Sequence, residues 1–271
     1  MNDNFKGKVA IVTGGSMGIG REVAYQLAIG GGKVIIAARN EGRLLEVVKE
    51  LTKLGADANY FVCDLTDAKA CEQLVEFAIK CYGKLDILVN NAGVSMRGRV
   101  ADIQPKVVEN IFAINTLSPI WITHFAMPAI QASKGSILFV SSLAGLQGLP
   151  LISIYSSAKM ALTAIVQSLW VEHSRDAIHI GIVYVGVTEI DKTKATIDAN
   201  GEQVLLDERK GKYVHSMAYV AGKIVQAIRK RKKKTIIGVM GKTYYFLTRY
   251  LGKLAIFLTK KSYQKSGKLY K

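Results

Sequence analysis

The chain has 271 residues, 49% of them hydrophobic and 21% charged, with four prolines, a composition that can bury a full core and excludes an intrinsically disordered chain. Its net charge of +16 would suit a polyanionic partner, but residues 229–271 hold fourteen Lys and Arg and no acid, leaving 23 basic and 21 acidic groups in the other 228 residues. The basicity belongs to a tail, so a nucleic-acid face spread over the body is excluded and nucleic acid is not an expected partner.

The first element is a continuous apolar run over 9–12 that stops at glycines, the pattern of a strand buried on both faces. A helix over 19–29 follows, closed by Gly30, Gly31 and Gly32, then a strand over 33–38 and an amphipathic helix over 44–54. A strand over 59–62, a helix over 68–82 and a strand over 87–89 come next. The stretch 105–131 reads as one helix that Pro119 and Pro128 bend or end. A strand over 136–140, a long helix over 153–174 and a strand over 178–184 complete the alternation, and a helix over 217–231 and a strand over 235–239 close it. Residues 188–213 show no period and are polar, which suits a loop that covers a substrate. Strands alternating with helices imply right-handed βαβ units, hence an α/β fold: a Rossmann-type, doubly wound parallel sheet in a single domain, 1–240, with a helical extension over 241–271. Ligands bind such sheets at the carboxyl ends of the strands.

The turn after the first strand reads Thr13-Gly14-Gly15-Ser16-Met17-Gly18-Ile19-Gly20. Gly14 permits a turn with positive φ, Gly18 lets backbone approach a pyrophosphate, and Gly20 lets helix pack closely on strand. The helix start then offers free N–H groups and a positive dipole end to phosphates. Further along, Tyr155 and Lys159 stand four apart on a helix and share a face. A phenol of pKa about 10 is a poor proton donor or base at neutral pH, and a neighbouring ammonium is expected to lower that value. Ser142, at the end of a strand and thirteen residues upstream of Tyr155, can hold a substrate oxygen. At the end of the second strand, Ala38-Arg39-Asn40 stands where an acid would bind a ribose 2′-OH, and Arg39 can instead pair with a 2′-phosphate. NADP(H) is therefore the expected cofactor, ahead of NAD.

The spacing G-x-x-x-G-x-G of this turn resembles the short-chain dehydrogenase/reductase family, and four further motifs match in order over residues 6–240. Asn90-Asn91-Ala92-Gly93 is similar to the family's NNAG motif, and Cys63-Asp64-Leu65 to the position whose Asp contacts adenine. Asn115, Ser142, Tyr155 and Lys159 match its catalytic tetrad, Ser142 rather than Ser141 because Leu143-Ala144-Gly145 follows. The resemblance implies an oxidoreductase that moves hydride between nicotinamide and a carbonyl or secondary alcohol, with Tyr155 as general acid or base. It implies that Lys159 grips the nicotinamide ribose, that Asn115 holds a water leading to Lys159, and that Gly14, Ser16, Gly18, Ile19, Gly20, Arg39, Asp64, Leu65, Asn91, Ala92 and Gly93 contact the cofactor. The sequence departs from the family after the sixth strand, where Val185-Gly186-Val187-Thr188-Glu189-Ile190 lacks the usual Pro and has Ile190 in place of a Thr. Val187 and Thr188 are the expected substitutes there. The family also implies a homodimer or homotetramer paired through the long helices near 105–131 and 153–174. A reading from another class, an idle nucleotide-binding scaffold acting through its tail, leaves the complete tetrad without a use.

In the tail, apolar residues at 244, 247, 251, 254 and 258 recur at helical spacing, widened by Tyr245, Tyr250 and Phe257, with Arg249, Lys253 and Lys260 opposite. That is the pattern of an interfacial helix on an anionic membrane, and equally of a helix packed on the body or on a second subunit. The tail loosely resembles the membrane-associated extensions of 11β-hydroxysteroid dehydrogenase-like and 3-ketodihydrosphingosine reductase-like members, which implies a hydrophobic, lipid- or steroid-like substrate and a part in lipid metabolism. The start of the chain has no apolar signal region, and no uncharged run approaches the ~18–20 residues a membrane span needs. Cys63, Cys71 and Cys81 lack metal-ligand spacing and read as reduced thiols, so the expected location is cytoplasmic, on the cytoplasmic face of a membrane where the tail binds one.

Overall fold

The computed structural model describes residues 4–191, 193–211 and 213–266. Five βα repeats build most of the sheet: β1 (Val9–Thr13), α1 (Gly18–Ile29), β2 (Lys33–Ala38), α2 (Glu41–Lys53), β3 (Ala58–Val62), α3 (Ala68–Tyr82), β4 (Ile87–Asn90), α4 (Pro105–Phe112), α5 (Ser118–Ala132), β5 (Ser136–Ser142) and α6 (Ser153–Glu172). After β6 (His179–Val185) come a hairpin, β7 (Ala195–Ile197) and β8 (Gln203–Leu205), then α7 (Met217–Arg229), β9 (Lys234–Ile236), α8 (Val239–Tyr250) and α9 (Gly252–Ser266). Seven strands form one sheet in the order β3-β2-β1-β4-β5-β6-β9. Every pair in it is parallel.

Alternating strand residues feed two cores. Ala10, Val12, Val34 and Ile36 face Val23 and Leu27 of α1, Leu44 and Leu51 of α2, and Val220 and Ile224 of α7. Val9, Ile11, Ile35 and Ala37 face Leu74 of α3, Ile122 and Ala126 of α5, and Leu162 and Val166 of α6. Burial on both faces is why these strands read as continuous apolar runs. The strand order reverses between β1 and β4, which opens a crevice at their carboxyl ends.

Four stretches differ from the sequence reading. The helix expected over 105–131 is two, α4 and α5, joined by a π-turn over Ala113–Leu117. Pro119 falls in the first turn of α5, where a missing N–H costs little, while Pro128 lies inside α5 without ending it. The stretch 188–213 is not structureless: β7 pairs with β8, and Ile197 bridges Met96 in parallel, tying the segment to the chain after β4. The last strand stops at Ile236, because Gly238 turns with φ +78° and Val239 already begins α8. The tail is likewise two helices, broken at Leu251, and Tyr244 and Leu247 turn partly toward the body. No described helix is long and apolar enough to cross a membrane.

Candidate active site

The glycine-rich turn is held by β2 and by the chain leaving β4. The Gly14 N–H donates to Ala37 O at 2.8 Å, with φ +64°. A Cβ on Gly20 would stand 2.2 Å from Gly14 O, so only glycine lets α1 pack this closely. The Thr13 hydroxyl accepts from the Asn91 and Ala92 N–H groups at 2.9 and 3.0 Å. Asn91 Nδ2 donates to Thr13 O at 2.9 Å. The NNAG segment and the glycine turn are thus one hydrogen-bonded unit. Ser16 and Ile19 are half-buried at its rim, and Gly18 opens onto a cleft lined also by Arg21, Glu189, Asp191 and Met217. Asp64 is exposed and binds the N–H and hydroxyl of Thr66, while Leu65 beside it is buried.

Arg39 is exposed at the end of β2. Asn40 caps α2 through the Arg43 N–H, and the Arg43 guanidinium crosses to Met17 Sδ at 3.5 Å, onto the glycine turn. Arg43 was not singled out from sequence. The signal that could have found it is its position in the first turn of the helix that Asn40 starts.

The tetrad residues come together at the ends of β5 and α6. Lys159 is 4% exposed, donates to Val140 O at 3.1 Å and lies 5.9 Å from the centroid of the Tyr155 ring. The Ser142 side chain lies by the Tyr155 hydroxyl and lowers its pKa, while Ser142 Oγ accepts from the Ala144 N–H at 3.2 Å. Ser141 points the other way, donating to Lys159 O at 3.3 Å within the core, so its hydroxyl is taken up in packing α6 on β5. The π-turn carries Asn115 inward: its Nδ2 donates to Val94 O at 2.8 Å and to Ile111 O at 2.9 Å, while its Oδ1 is buried without a partner. A Cβ on Gly93 would stand 2.7 Å from that Oδ1 and 3.2 Å from Lys159 Nζ, so glycine leaves a gap between an unused acceptor and an ammonium. π-Turns of this kind concentrate at functional sites.

The electrostatics differ from the expectation that Lys159 lowers the Tyr155 pKa. Burial raises the Tyr155 pKa, against smaller lowering effects of the Ser142 hydrogen bond and the Arg209 charge. Burial also lowers Lys159 to about 8, with Lys194 adding to the shift. The cation acting on Tyr155 therefore comes from the segment after β8. Thr188 is buried, its hydroxyl donating to Gly186 O at 3.2 Å, and Val187 is exposed beside it.

Beside Tyr155, Met96, Val107, Ile111 and Ala158 form a small apolar cluster with Val94, Ile154 and Ile197 against it. Val94, Ile154, Tyr155 and Ile197 are its partly exposed members.

The family model described as short chain dehydrogenase matches residues 8–201. An oxidoreductase of Thermotoga maritima is 33% identical over 74% of this chain and 81% of its own. The 11-beta-hydroxysteroid dehydrogenase-like 4A protein of Arabidopsis thaliana is 35% identical over 71% of this chain and 64% of its own length. Among solved structures, a dehydrogenase/reductase from Sinorhizobium meliloti 1021 superposes with TM-score 0.75 at 27% identity, covering 86% of this chain and 94% of that one. A metagenomic short-chain oxidoreductase in complex with NADP superposes with TM-score 0.71 at 25% identity, covering 83% and 92%.

Proposed function

The chain belongs to the short-chain dehydrogenase family, and on that premise we propose that it is an NADP(H)-dependent carbonyl reductase in which Tyr155 supplies the proton. The observation that carries this reading is the meeting of Tyr155 with Ser142 and with Lys159, which is buried 5.9 Å from the centroid of the tyrosine ring. The residues fit the cofactor. The glycine turn is a cradle that a Cβ at Gly20 would fill, and Arg39 and Arg43 flank the place of a 2′-phosphate. The metagenomic structural relative was solved with NADP.

Bound NADPH supplies the hydride. Ser142 holds the carbonyl oxygen and keeps the Tyr155 hydroxyl aimed at it. Burial keeps Tyr155 a phenol at neutral pH, the protonation state that reduction needs. As its O–H proton passes to the developing alkoxide, the phenolate left behind is stabilised by Ser142 and the Arg209 charge, the two influences that lower the Tyr155 pKa. The free Asn115 Oδ1 is placed to hold a water that re-protonates Tyr155 and Lys159. The apolar wall at Val94, Ile154 and Ile197 suits a hydrophobic part of the substrate. Tyr155→Phe should remove turnover and leave NADPH affinity within about twofold. Turnover close to that of the wild type would refute the assignment.

The same reading extends to location and assembly. On α9, Ala255 packs inward and Gln147 Nε2 donates to Thr259 Oγ1 at 2.9 Å, while Leu254, Ile256, Phe257 and Leu258 stay exposed together with Lys253, Lys260 and Lys261. We assign this apolar-and-basic surface to an anionic membrane, which puts the crevice beside the phase that holds a hydrophobic substrate. Exposed Leu117, Met160 and Val171 on the long helices support a homodimer or homotetramer paired through them. The catalytic unit is taken as 1–240 and the extension as 241–271.

A further inference from the structure

The segment between β6 and α7 brings a second set of charges to Tyr155. Residues 188–215 contain six acidic and five basic residues, so the segment is not basic overall. Its acids are largely used in its own architecture. Asp191 accepts from the N–H and hydroxyl of Thr193, and Asp198 from the N–H groups of Asn200 and Glu202. Glu189 accepts from the Met217 N–H, and Glu208 pairs with Lys210 at 3.0 Å.

Backbone register collects the cations instead. The Leu206 N–H donates to Lys194 O at 3.2 Å, which fixes Lys194 at the foot of the β7–β8 hairpin. Ile197 binds across to the chain after β4: its N–H donates to Ser95 O at 3.0 Å, and the Arg97 N–H donates to Ile197 O at 2.7 Å. Following that parallel register back two residues past the Ser95–Thr196 hydroxyl contact of 2.9 Å brings Lys194 level with Gly93, the glycine that faces Lys159. Arg209 Nη1 reaches Thr188 O at 3.5 Å from the far side of the hairpin. Arg97, Lys194 and Arg209 are exposed residues, Lys194 and Arg209 nonetheless lowered in pKa by partial burial, and among the described residues none has an acidic group within ion-pair distance. They act on one another and on the site: Arg209 on Tyr155, Arg97 on Arg209, Arg209 on Lys194, and Lys194 on Lys159. Asp191, the acid that acts on Lys194, is itself shared with Arg21 and Arg43. Three cations left to repel one another around a catalytic phenol cost stability unless an anion arrives to separate them.

We infer that the carbonyl compound reduced here carries an anionic group, held by Lys194, Arg209 and Arg97 while its carbonyl faces Tyr155 and Ser142. This rests on the proposed role of Tyr155 and narrows it to an amphipathic substrate, its apolar part on the Val94–Ile197 wall and its charge at the hairpin. Guanidinium forks favour a carboxylate or phosphate held bidentately.

The test uses the full chain with NADPH and a ladder of methyl-ketone carboxylates of increasing chain length, each beside its methyl ester. At the chain length that spans Tyr155 to the cations, the acid should exceed its ester in kcat/KM by about tenfold or more. In the double variant Lys194→Ala/Arg209→Ala that ratio should collapse to about one, chiefly through KM, with the Kd for NADPH unchanged. Arg209→Lys should restore part of it. Esters turned over as well as acids at every length would overturn the inference. So would a loss of NADPH affinity in the double variant, which would assign the cations to cofactor phosphates. If no compound is turned over, calorimetric binding of the same carboxylates to the NADP+ holoenzyme decides, and absence of binding, or binding equal in the double variant, overturns it. Loss of all turnover in Tyr155→Phe, alongside equal use of acids and esters, would leave the proposed chemistry standing and remove only the anionic substrate.

Discussion

Replacing Gly93 by alanine puts a methyl group into the gap between Asn115 and Lys159. The backbone there is not in the left-handed region, so the change carries no conformational penalty and tests space alone. The methyl would stand 2.7 Å from Asn115 Oδ1, well inside an ordinary carbon–oxygen contact, and 3.2 Å from Lys159 Nζ. Asn115 cannot simply retreat, since it is fully buried and donates to Val94 O and Ile111 O. Overpacking costs about 1–3 kcal/mol, and surrendering one of the two hydrogen bonds costs about 1 kcal/mol. For a chain of this size the melting temperature should fall by roughly 2–10 °C. Displacing Lys159 or the water beside Asn115 should lower kcat by about tenfold or more, because about 1.4 kcal/mol of lost transition-state stabilisation is one decade. Differential scanning fluorimetry and the steady-state loss of NADPH absorbance measure the two effects separately. Gly222→Ala is the control: its Cβ would meet only Gln26 Oε1 at 3.4 Å, within α7, so it should stabilise by about 0.5–1 kcal/mol and leave kcat alone. Wild-type kcat and melting temperature in Gly93→Ala would refute the placement of Asn115 Oδ1 in that gap. A lower melting temperature with unchanged kcat would reduce Asn115 to a structural role.

Arg39→Ala should raise KM for NADPH about tenfold or more and leave KM for NADH within about twofold, and equal effects on both would count against a 2′-phosphate site. Because burial and Lys194 lower Lys159 to about 8, kcat/KM for NADPH should fall as pH rises past that value and the ammonium is lost. Lys194→Ala removes a neighbouring cation and should move this alkaline limb to higher pH; a limb that stays put would show that Lys194 does not act on Lys159. Flotation with vesicles of phosphatidylserine and phosphatidylcholine should recover the wild-type chain and much less of Ile256→Glu/Phe257→Glu, and equal recovery would return the tail to a packing role.

The parts of the fold that were legible are those whose signal is local. Strands such as β1 and β2 are buried on both faces, so they appear as unbroken apolar runs, and α3 was bounded correctly because Asp67 caps it and Gly83 ends it with φ +73°. The hairpin of β7 and β8 was not legible: each strand has three residues and its pairing is fixed by Met96 and Ser95, about a hundred positions away. The π-turn at Asn115 escaped for a similar reason, since its extra residue leaves the helical period of the flanking helices nearly intact and only Pro119 hints at a junction. In the tail the apolar spacing ran straight through the break at Leu251, because periodicity alone does not register where Gly252 restarts the helix.

The site divides along the same line. Tyr155, Lys159 and Ser142 share one short stretch of chain, so their spacing carries their geometry. Arg97, Lys194 and Arg209 have no spacing relation, and what gathers them is a hairpin register and the removal of competing acids into turns and caps. The near-neutral body therefore hides a polarised crevice. Elsewhere the acids are paired with cations: Glu50 with Arg21, Asp57 with Lys33, and Asp86 with Lys8 and Lys84. Around Tyr155 the three cations have no such partner among the described residues, and desolvation raises the phenol's pKa against the lowering effects of Ser142 and the Arg209 charge. An arriving anion would neutralise that charge in part and raise the phenol's pKa further. Under the proposed chemistry Tyr155 is a phenol before any substrate arrives, so what a charged substrate adds is its own placement, its carbonyl held at Tyr155 and Ser142 by the anion bound at the hairpin, which a neutral ketone of the same shape would lack.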